Sequence, residues 1–377
     1  MTVDFSRNVF SILGLPFDAL ALSEVVARIR SAAQQRQPFL LSTANLNFAV
    51  MAQEDAAFRH SILHSNMCVA DGMPIVWIAR CLGLPIPERV SGADIFEALR
   101  AAPAPPVKAY FFGGPDGAAQ AAYRRVNENA GGVVCVGFDS PGFGPLEQMS
   151  SAEHIEGINR SGAEFVIVSL GAKKGLAWIE RNRGRFAPCV VSYLGAVVNF
   201  AAGSVERAPA WVRRCGFEWL WRIKEEPSLW RRYWNDAVAV GGMLVRDLLP
   251  LWWQQWRLRS LRRAAGGTPI VRSSRRVDTL CIEMRGAFRV DELGSLRAAF
   301  TEAAQANADL ELDLREVQQV DSATIALIQL LAAHQLDIGR RLRLLGVRDA
   351  LRKQFRCYRV EALLSEPDGV AADLHAS

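Results

Sequence analysis

Polar residues placed just past short apolar runs are where this chain could do chemistry. Thr43-Ala-Asn45-Leu-Asn47 offers one hydroxyl and two amides, and Asp71-Gly72 puts a carboxylate on a glycine-flanked turn leading into Met73-Pro74. Further turns are Gly113-Gly114-Pro115-Asp116-Gly117, Gly171-Ala172-Lys173-Lys174-Gly175, and Gly195 followed by Asn199 and Gly203. A carboxylate can take a proton from a hydroxyl, glycine lets backbone approach a ligand, and helix N-termini present free N–H groups to phosphate. Together these turns suggest a nucleotide or nucleotide-sugar site, although an Asp-Gly pair also suits a plain turn. Rival chemistries lack their signatures. Gly113-Gly114 is not a GxGxxG fingerprint, and neither a GxxxxGK[ST] loop nor an Asp-x-Asp pair occurs.

The elements that must hold these residues follow from alternation. Candidate strands are 10–13, 39–43, 68–70, 109–112, 133–138, 165–170 and 190–194. They are separated by helical patterns such as 23–33, 75–82, 117–129, 152–160 and 175–183. Strands followed by helices of this length predict βαβ units, hence an α/β, Rossmann-like, mainly parallel sheet that binds ligand at its strand C-termini. From Glu206 to Arg263 the pattern becomes helical and dense in tryptophan and arginine. Arg262-Arg263-Ala-Ala-Gly266-Gly267-Thr-Pro269 reads as a linker. A small second α/β domain then starts, with strands at 280–283, 310–314 and 341–345 and helices at 292–305, 323–336 and 350–356. The expected division is 1–205, a helical appendage over 206–263, a linker over 264–270, and a domain over 271–377.

Composition narrows the class. The chain has 377 residues, is 50% hydrophobic and 22% charged, and carries a net charge of +5, which excludes a disordered chain and gives no basic field for nucleic acid. Only five of its 44 basic residues are lysine, a bias that a GC-rich genome would produce. Codon usage does not place eight of ten tryptophans between Trp211 and Trp256, amid arginines from Arg207 to Arg263. Tryptophan beside arginine suits a lipid headgroup boundary, and a tryptophan-rich core would give part of the same pattern. The run 237–253 is broken by Arg246, Asp247 and Pro250 and is too short to span a bilayer. Residues 1–30 lack the parts of a signal peptide. Seven scattered cysteines, without CxxC or Cys/His ligand spacing, read as reduced thiols of a cytoplasmic protein.

Three stretches in order resemble the WecG/TagA/CpsF family of bacterial glycosyltransferases. They are 43–47 with Ala70-Asp71-Gly72 and Pro87-Glu-Arg89-Val-Ser-Gly92-Ala-Asp94; Phe111-Phe-Gly-Gly-Pro115 with 165–171; and 195–203 with Arg207-Ala-Pro209-Ala-Trp211, Glu218-Trp219-Leu-Trp-Arg222, Glu226-Pro227 and Arg231-Arg232-Tyr233. The resemblance covers about residues 8–235. It implies inverting transfer of a hexosyl or N-acetylhexosaminyl group from a UDP-sugar to a polyprenyl-diphosphate-linked acceptor in cell-surface polysaccharide assembly, peripherally at the cytoplasmic membrane face. Asp71 matches the family's base, while Thr43 and Asn45 would orient hydroxyls. Asn47, Gly72, Gly113, Gly114, Gly171, Gly195 and Asn199 would line the substrate. Arg89 could pair with a phosphate or with Asp94. With no Asp-x-Asp pair, the expectation is a metal-independent enzyme without cofactor, in which helix N-termini and Arg222, Arg231 and Arg232 hold the leaving diphosphate. The chain departs from the family's Gly-x-Pro-Lys-Gln-Glu at Gly171-Ala-Lys-Lys-Gly175, and has Asn199 where aspartate is common. An inactive transferase-fold scaffold is the alternative reading.

The last hundred residues resemble a STAS domain through 310–314, Val320-Asp321-Ser322-Ala323-Thr324 and the helix after them. The resemblance implies docking of a protein partner. It also makes Ser322 a candidate phosphosite, where a dianion would be favoured by the helix N-terminus and repelled by Asp321. Asp321 or Ser322 would equally serve as an N-cap.

Overall fold

The computed structural model describes residues 3–204 apart from 130 and 143, isolated positions between 208 and 252, and 268–364 apart from 277. The chain begins with an antiparallel hairpin, β1 (Val9–Ile12) and β2 (Leu15–Asp18). Then come α1 (Leu22–Gln34), β3 (Phe39–Ala44), α2 (Leu46–Glu54), α3 (Ala56–Leu63), β4 (Met67–Ala70), α4 (Met73–Cys81), α5 (Gly92–Ala101), β5 (Val107–Gly113), α6 (Ala118–Glu128), β6 (Val133–Asp139), α7 (Leu146–Met149), α8 (Ala152–Arg160), β7 (Phe165–Ser169), α9 (Ala172–Asn182), β8 (Val190–Tyr193) and α10 (Val197–Ala202). Strands β3 to β8 form a six-stranded sheet in the order β4-β3-β8-β7-β5-β6, every pair parallel.

Both faces of that sheet are covered, which is why its strands are apolar runs rather than alternating ones. Ala109 and Phe111 of β5 and Phe165 and Ile167 of β7 join one core with α1, α5, α6 and α10. Their neighbours Tyr110, Phe112, Val166 and Val168 join the other core with α2, α3, α4, α8 and α9. There Phe112 stacks on the fully buried Trp178 at 4.1 Å, and the indole N–H donates to Met149 O at 2.8 Å.

The predicted strand at 10–13 does not belong to this sheet. It pairs with 15–18 in the hairpin, which packs against the second core. A buried ion pair ties the hairpin to β4. Arg7 donates from Nε to Asp18 Oδ1 at 3.0 Å and from NH2 to Oδ2 at 2.6 Å, its NH1 reaches Ser65 O at 2.8 Å, and Cys68 N–H donates to Asp18 Oδ2 at 2.7 Å.

The C-terminal region has its own sheet, order β12-β11-β10-β9, from β9 (Ile270–Arg276), β10 (Thr279–Phe288), β11 (Asp309–Val320) and β12 (Leu342–Leu345). Only the β9–β10 pair is antiparallel. Its helices are α11 (Gly294–Gln305), α12 (Ser322–Asp337) and α13 (Asp349–Cys357). Strand β9 starts where the linker was expected to end, and β10 and β11 run well past their predicted bounds.

Helix α12 is apolar nearly all round, and 13 of its 16 residues are buried. A helix of that kind needs cover on every side. Its own sheet supplies one side and the N-terminal hairpin the other. Ser322 Oγ donates to Ser11 O at 2.8 Å and Gln329 Nε2 to Gly14 O at 2.7 Å. Beside them Phe5 meets Phe300 edge-on at 5.7 Å, and Arg297 donates to Ser6 O at 2.7 Å. The two α/β units thus share one continuous apolar cluster. No helix among the described residues is long and apolar enough to cross a membrane.

Candidate active site

Parallel strands place the residues that follow them along one sheet edge. Five consecutive strands, β4-β3-β8-β7-β5, bring Asp71-Gly72, Asn45, Gly195, Gly171 and Gly113-Gly114 to that edge. Asp71 and Asn45 are adjacent because their strands pair in register, Ala44 opposite Ala70, and the Asp71 N–H donates to Ala44 O at 2.9 Å. Gly72 has φ +141°, which favours glycine, and a Cβ there would stand 3.9 Å from Asn45 Cβ. The Asn45 side-chain oxygen caps α2 by accepting from Phe48 N–H at 3.2 Å. Thr43 is buried in β3, one residue before the edge. Asn47 lies in the first turn of α2, its amide 3.3 Å from Met51 Sδ.

Arg89 pairs with Asp94. NH2 donates to Oδ2 at 2.7 Å, and Ser91 Oγ donates to the same oxygen at 2.6 Å. The Val90 N–H donates to Ala70 O at 2.8 Å, so this ion pair stands beside the strand end that carries Asp71. Of the two partners left open by sequence, Asp94 is thus in contact with Arg89.

At the other end of the edge α10 runs past Gly114, where a Cβ would lie 3.2 Å from Val198 Cγ1. The next residue, Asn199, has a buried side-chain oxygen with no hydrogen-bond partner among the described residues. A buried acceptor in that condition costs free energy unless a ligand or water satisfies it.

Of the unusual 171–175 stretch, Gly171 is open to solvent, whereas Gly175, in the first turn of α9, is packed. A Cβ on Gly175 would stand 2.6 Å from the Tyr193 ring, so only glycine lets α9 come this close. Tyr193 stacks on Phe48 at 6.1 Å, joining the ends of β8 and α2. Lys173 is engaged by Asp55 at 2.7 Å, which raises the ammonium pKa, and Lys174 Nζ donates to Gly144 O at 2.5 Å. Burial alone would raise the Asp55 carboxyl; Lys173 and the Phe58 N–H bring it below the usual range.

Two features escaped the sequence reading. Tyr193 gave no signal beyond ending an apolar strand. His154 Nδ1 meets Asp139 Oδ2 at 2.5 Å, and Asp139 ends β6 opposite Phe112, so this pair stands at the same sheet edge beside Gly113.

The arginines expected at the diphosphate are only partly placed. Arg231 is exposed and lies 5.9 Å from the Trp230 ring, whereas Arg222 and Arg232 lie outside the described residues. Trp230, Trp234 and Trp252 are 52%, 64% and 47% exposed. Ser322 is buried against Ser11 O, and the cap of α12 is Asp321, whose Oδ1 accepts from Thr324 N–H at 2.8 Å and Oδ2 from Val290 N–H at 2.6 Å. A kinase would reach Ser322 only after α12 leaves the hairpin.

Comparison with known proteins agrees with this arrangement. Residues 10–263 match the profile of the glycosyl transferase WecG/TagA/CpsF family, and residues 271–365 match a STAS domain of the Mlab type. A relative from Bacillus spizizenii is 25% identical over 214 residues, 56% of this chain and 81% of its own length. Another from Staphylococcus aureus is 25% identical over 227 residues, 59% of this chain and 87% of its own. Both are named N-acetylglucosaminyldiphosphoundecaprenol N-acetyl-beta-D-mannosaminyltransferase. The all-parallel sheet, the residues at its edge and the matched span lead to one conclusion: the chain belongs to the WecG/TagA/CpsF glycosyltransferase family and carries a STAS domain after it.

Proposed function

We propose that this protein is an inverting, metal-independent transferase that moves a hexosyl or N-acetylhexosaminyl group from a UDP-sugar to a polyprenyl-diphosphate-linked acceptor. The observation that carries the reading is Asp71, held by Ala44 O directly beside Asn45 at the C-terminal edge of a parallel sheet. As the acceptor oxygen attacks the anomeric carbon, its proton passes to the Asp71 carboxylate. The bond from that carbon to the UDP oxygen breaks, and its electron pair leaves on the diphosphate. Asn45 and Thr43 orient hydroxyls, and Asn199 offers an acceptor to the donor. The N-termini of α6 and α9, after Gly113-Gly114 and Gly171, would stabilise the departing charge, and Arg222, Arg231 and Arg232 are the side chains proposed to share that role. The names of the Bacillus and Staphylococcus relatives support the acceptor class.

UDP release from a panel of UDP-sugars, with a synthetic N-acetylglucosaminyl-diphosphate-polyprenol as acceptor, tests this. At least one donor gives acceptor-dependent release that survives excess EDTA. Release abolished by EDTA removes the metal-independent mechanism, and no release with any donor leaves the scaffold reading.

The same lipid acceptor gives the exposed tryptophans a use. The appendage over 206–263 would rest on the anionic inner leaflet, its rings at the headgroup level and its arginines near phosphate. Replacing Trp230, Trp234 and Trp252 together by alanine is expected to cut binding to phosphatidylglycerol vesicles at least tenfold in a flotation assay, with unchanged circular dichroism. Equal binding by wild type and variant would place the membrane contact elsewhere. The STAS domain would act as a docking module, and phosphorylation of Ser322 would follow, not cause, separation of the two units.

A further inference from the structure

A second cluster of chemistry-bearing side chains lies at the opposite edge of the main sheet, before β4 rather than after it. His60 is in the last turn of α3 and His64 caps that helix, so four-residue spacing brings their rings together edge to face, centroids 3.9 Å from each other. Asp337, the last residue of α12, comes in from the STAS domain. Its Oδ1 lies 3.2 Å from His60 Nε2 and also contacts His64 Nε2. The three donor atoms all fall within 4.8 Å of one another.

We propose that His60, His64 and Asp337 form a zinc site that clamps the STAS domain to the transferase domain. Two imidazole nitrogens and one carboxylate oxygen are a donor set that suits zinc, with a fourth position left for water. Bonds of about 2.0–2.1 Å at a tetrahedral centre put neighbouring donor atoms roughly 3.3 Å apart. The His60–Asp337 separation of 3.2 Å matches this, while His64 and Asp337 touch directly and would part to admit the ion.

The surroundings of His64 fit a ligand rather than an ordinary surface histidine. Its side chain is only 4% exposed, and Nδ1 lies 3.2 Å from Glu180 Oε1. A metal on Nε2 would require the proton on Nδ1, donated to that carboxylate, the orienting arrangement metal-bound histidines ordinarily have. Arg183 NH1, a donor only, lies 2.7 Å from the same Nδ1 and 3.3 Å from Glu180 Oε1. In that tautomer it bonds the carboxylate and not Nδ1, whereas in the metal-free form it can donate to Nδ1. The Asp337 side chain is 26% exposed, so an ion has a route in from solvent. No transfer chemistry enters this argument, because Asp71 stands at the far end of β4.

Full-length, tag-free protein stripped with a chelator and dialysed is titrated with zinc, and bound metal is measured by mass spectrometry. The expected result is one zinc per chain at micromolar affinity or tighter, with a rise in melting temperature. Cobalt in place of zinc gives the visible absorption of a tetrahedral site. Asp337→Asn and His64→Ala each weaken binding at least tenfold, and Glu180→Gln weakens it by about tenfold through the His64 orientation. Asp337→Asn keeps the side-chain shape at a partly exposed helix end, so it reports on the site even if His64→Ala fails to fold. Zinc uptake no higher than chelator-washed background overturns the proposal. So does stoichiometric binding that Asp337→Asn leaves unchanged. Either result would leave these residues as a hydrogen-bonded contact between the domains.

Discussion

Asp71→Asn is expected to lower the rate of sugar transfer by about 10²–10⁴-fold, the range a positioned general base supplies. Asparagine keeps the size of the side chain and the backbone N–H bond to Ala44 O, and removes the charge and the capacity to take a proton. Donor binding should therefore survive, and the loss should fall on kcat rather than on KM for the UDP-sugar. Thermal unfolding should match wild type within a degree or two. Steady-state kinetics with the lipid-linked acceptor provide the check. A variant retaining more than half of wild-type kcat would show that the acceptor proton goes elsewhere, with His154, paired to Asp139 at the same sheet edge, the next residue to test.

The second large effect is on stability. Arg7 and Asp18 are 4% and 3% exposed, and they make four hydrogen bonds, two with each other and two to the β4 side of the sheet at Ser65 O and the Cys68 N–H. Asp18→Ala leaves a guanidinium buried without its counter-charge and the Cys68 N–H without an acceptor. Such one-sided removal costs about 3–5 kcal/mol. Urea denaturation should show that loss as a lower midpoint at similar slope. The damage should extend to domain docking, because the segment holding Arg7 also presents Ser6 O to Arg297 and Phe5 to Phe300. Limited proteolysis should then release the STAS domain faster than from wild type. A drop below about 1 kcal/mol would mean that the pair contributes no more than an exposed salt bridge.

What sequence made legible was the part governed by local pattern. Apolar runs followed by glycine or asparagine located the parallel strands and, through them, Asn45, Asp71, Gly113, Gly171 and Gly195 along one edge. The hairpin was misread because Leu15-Pro16-Phe17-Asp18 holds a proline and is only four residues long, which argues against a strand. The Arg89–Asp94 contact was not legible in advance, since a carboxylate and a phosphate fit a guanidinium equally well. Long-range contacts were the least legible. Helix α12 advertised its burial by being apolar all round, but nothing in the chain said that residues 9–18 would cover it. The four-residue spacing of His60 and His64 was open to view. Asp337 lies 273 positions beyond His64 and meets it only because α12 ends beside α3. The altered 171–175 stretch showed only as a departure from the family's pattern; that its Gly175 lets the Tyr193 ring pack against α9 was not legible.

Mass spectrometry of the acceptor lipid tests the central claim most directly. Wild-type protein, a UDP-N-acetylhexosamine or UDP-hexose donor and N-acetylglucosaminyl-diphosphate-polyprenol are incubated together, beside a parallel reaction with Asp71→Asn. The account predicts an acceptor heavier by one sugar residue with wild type and an unchanged acceptor with the variant over the same time. An acceptor left unchanged by wild type across the donor panel, or extended equally by both proteins, would contradict it.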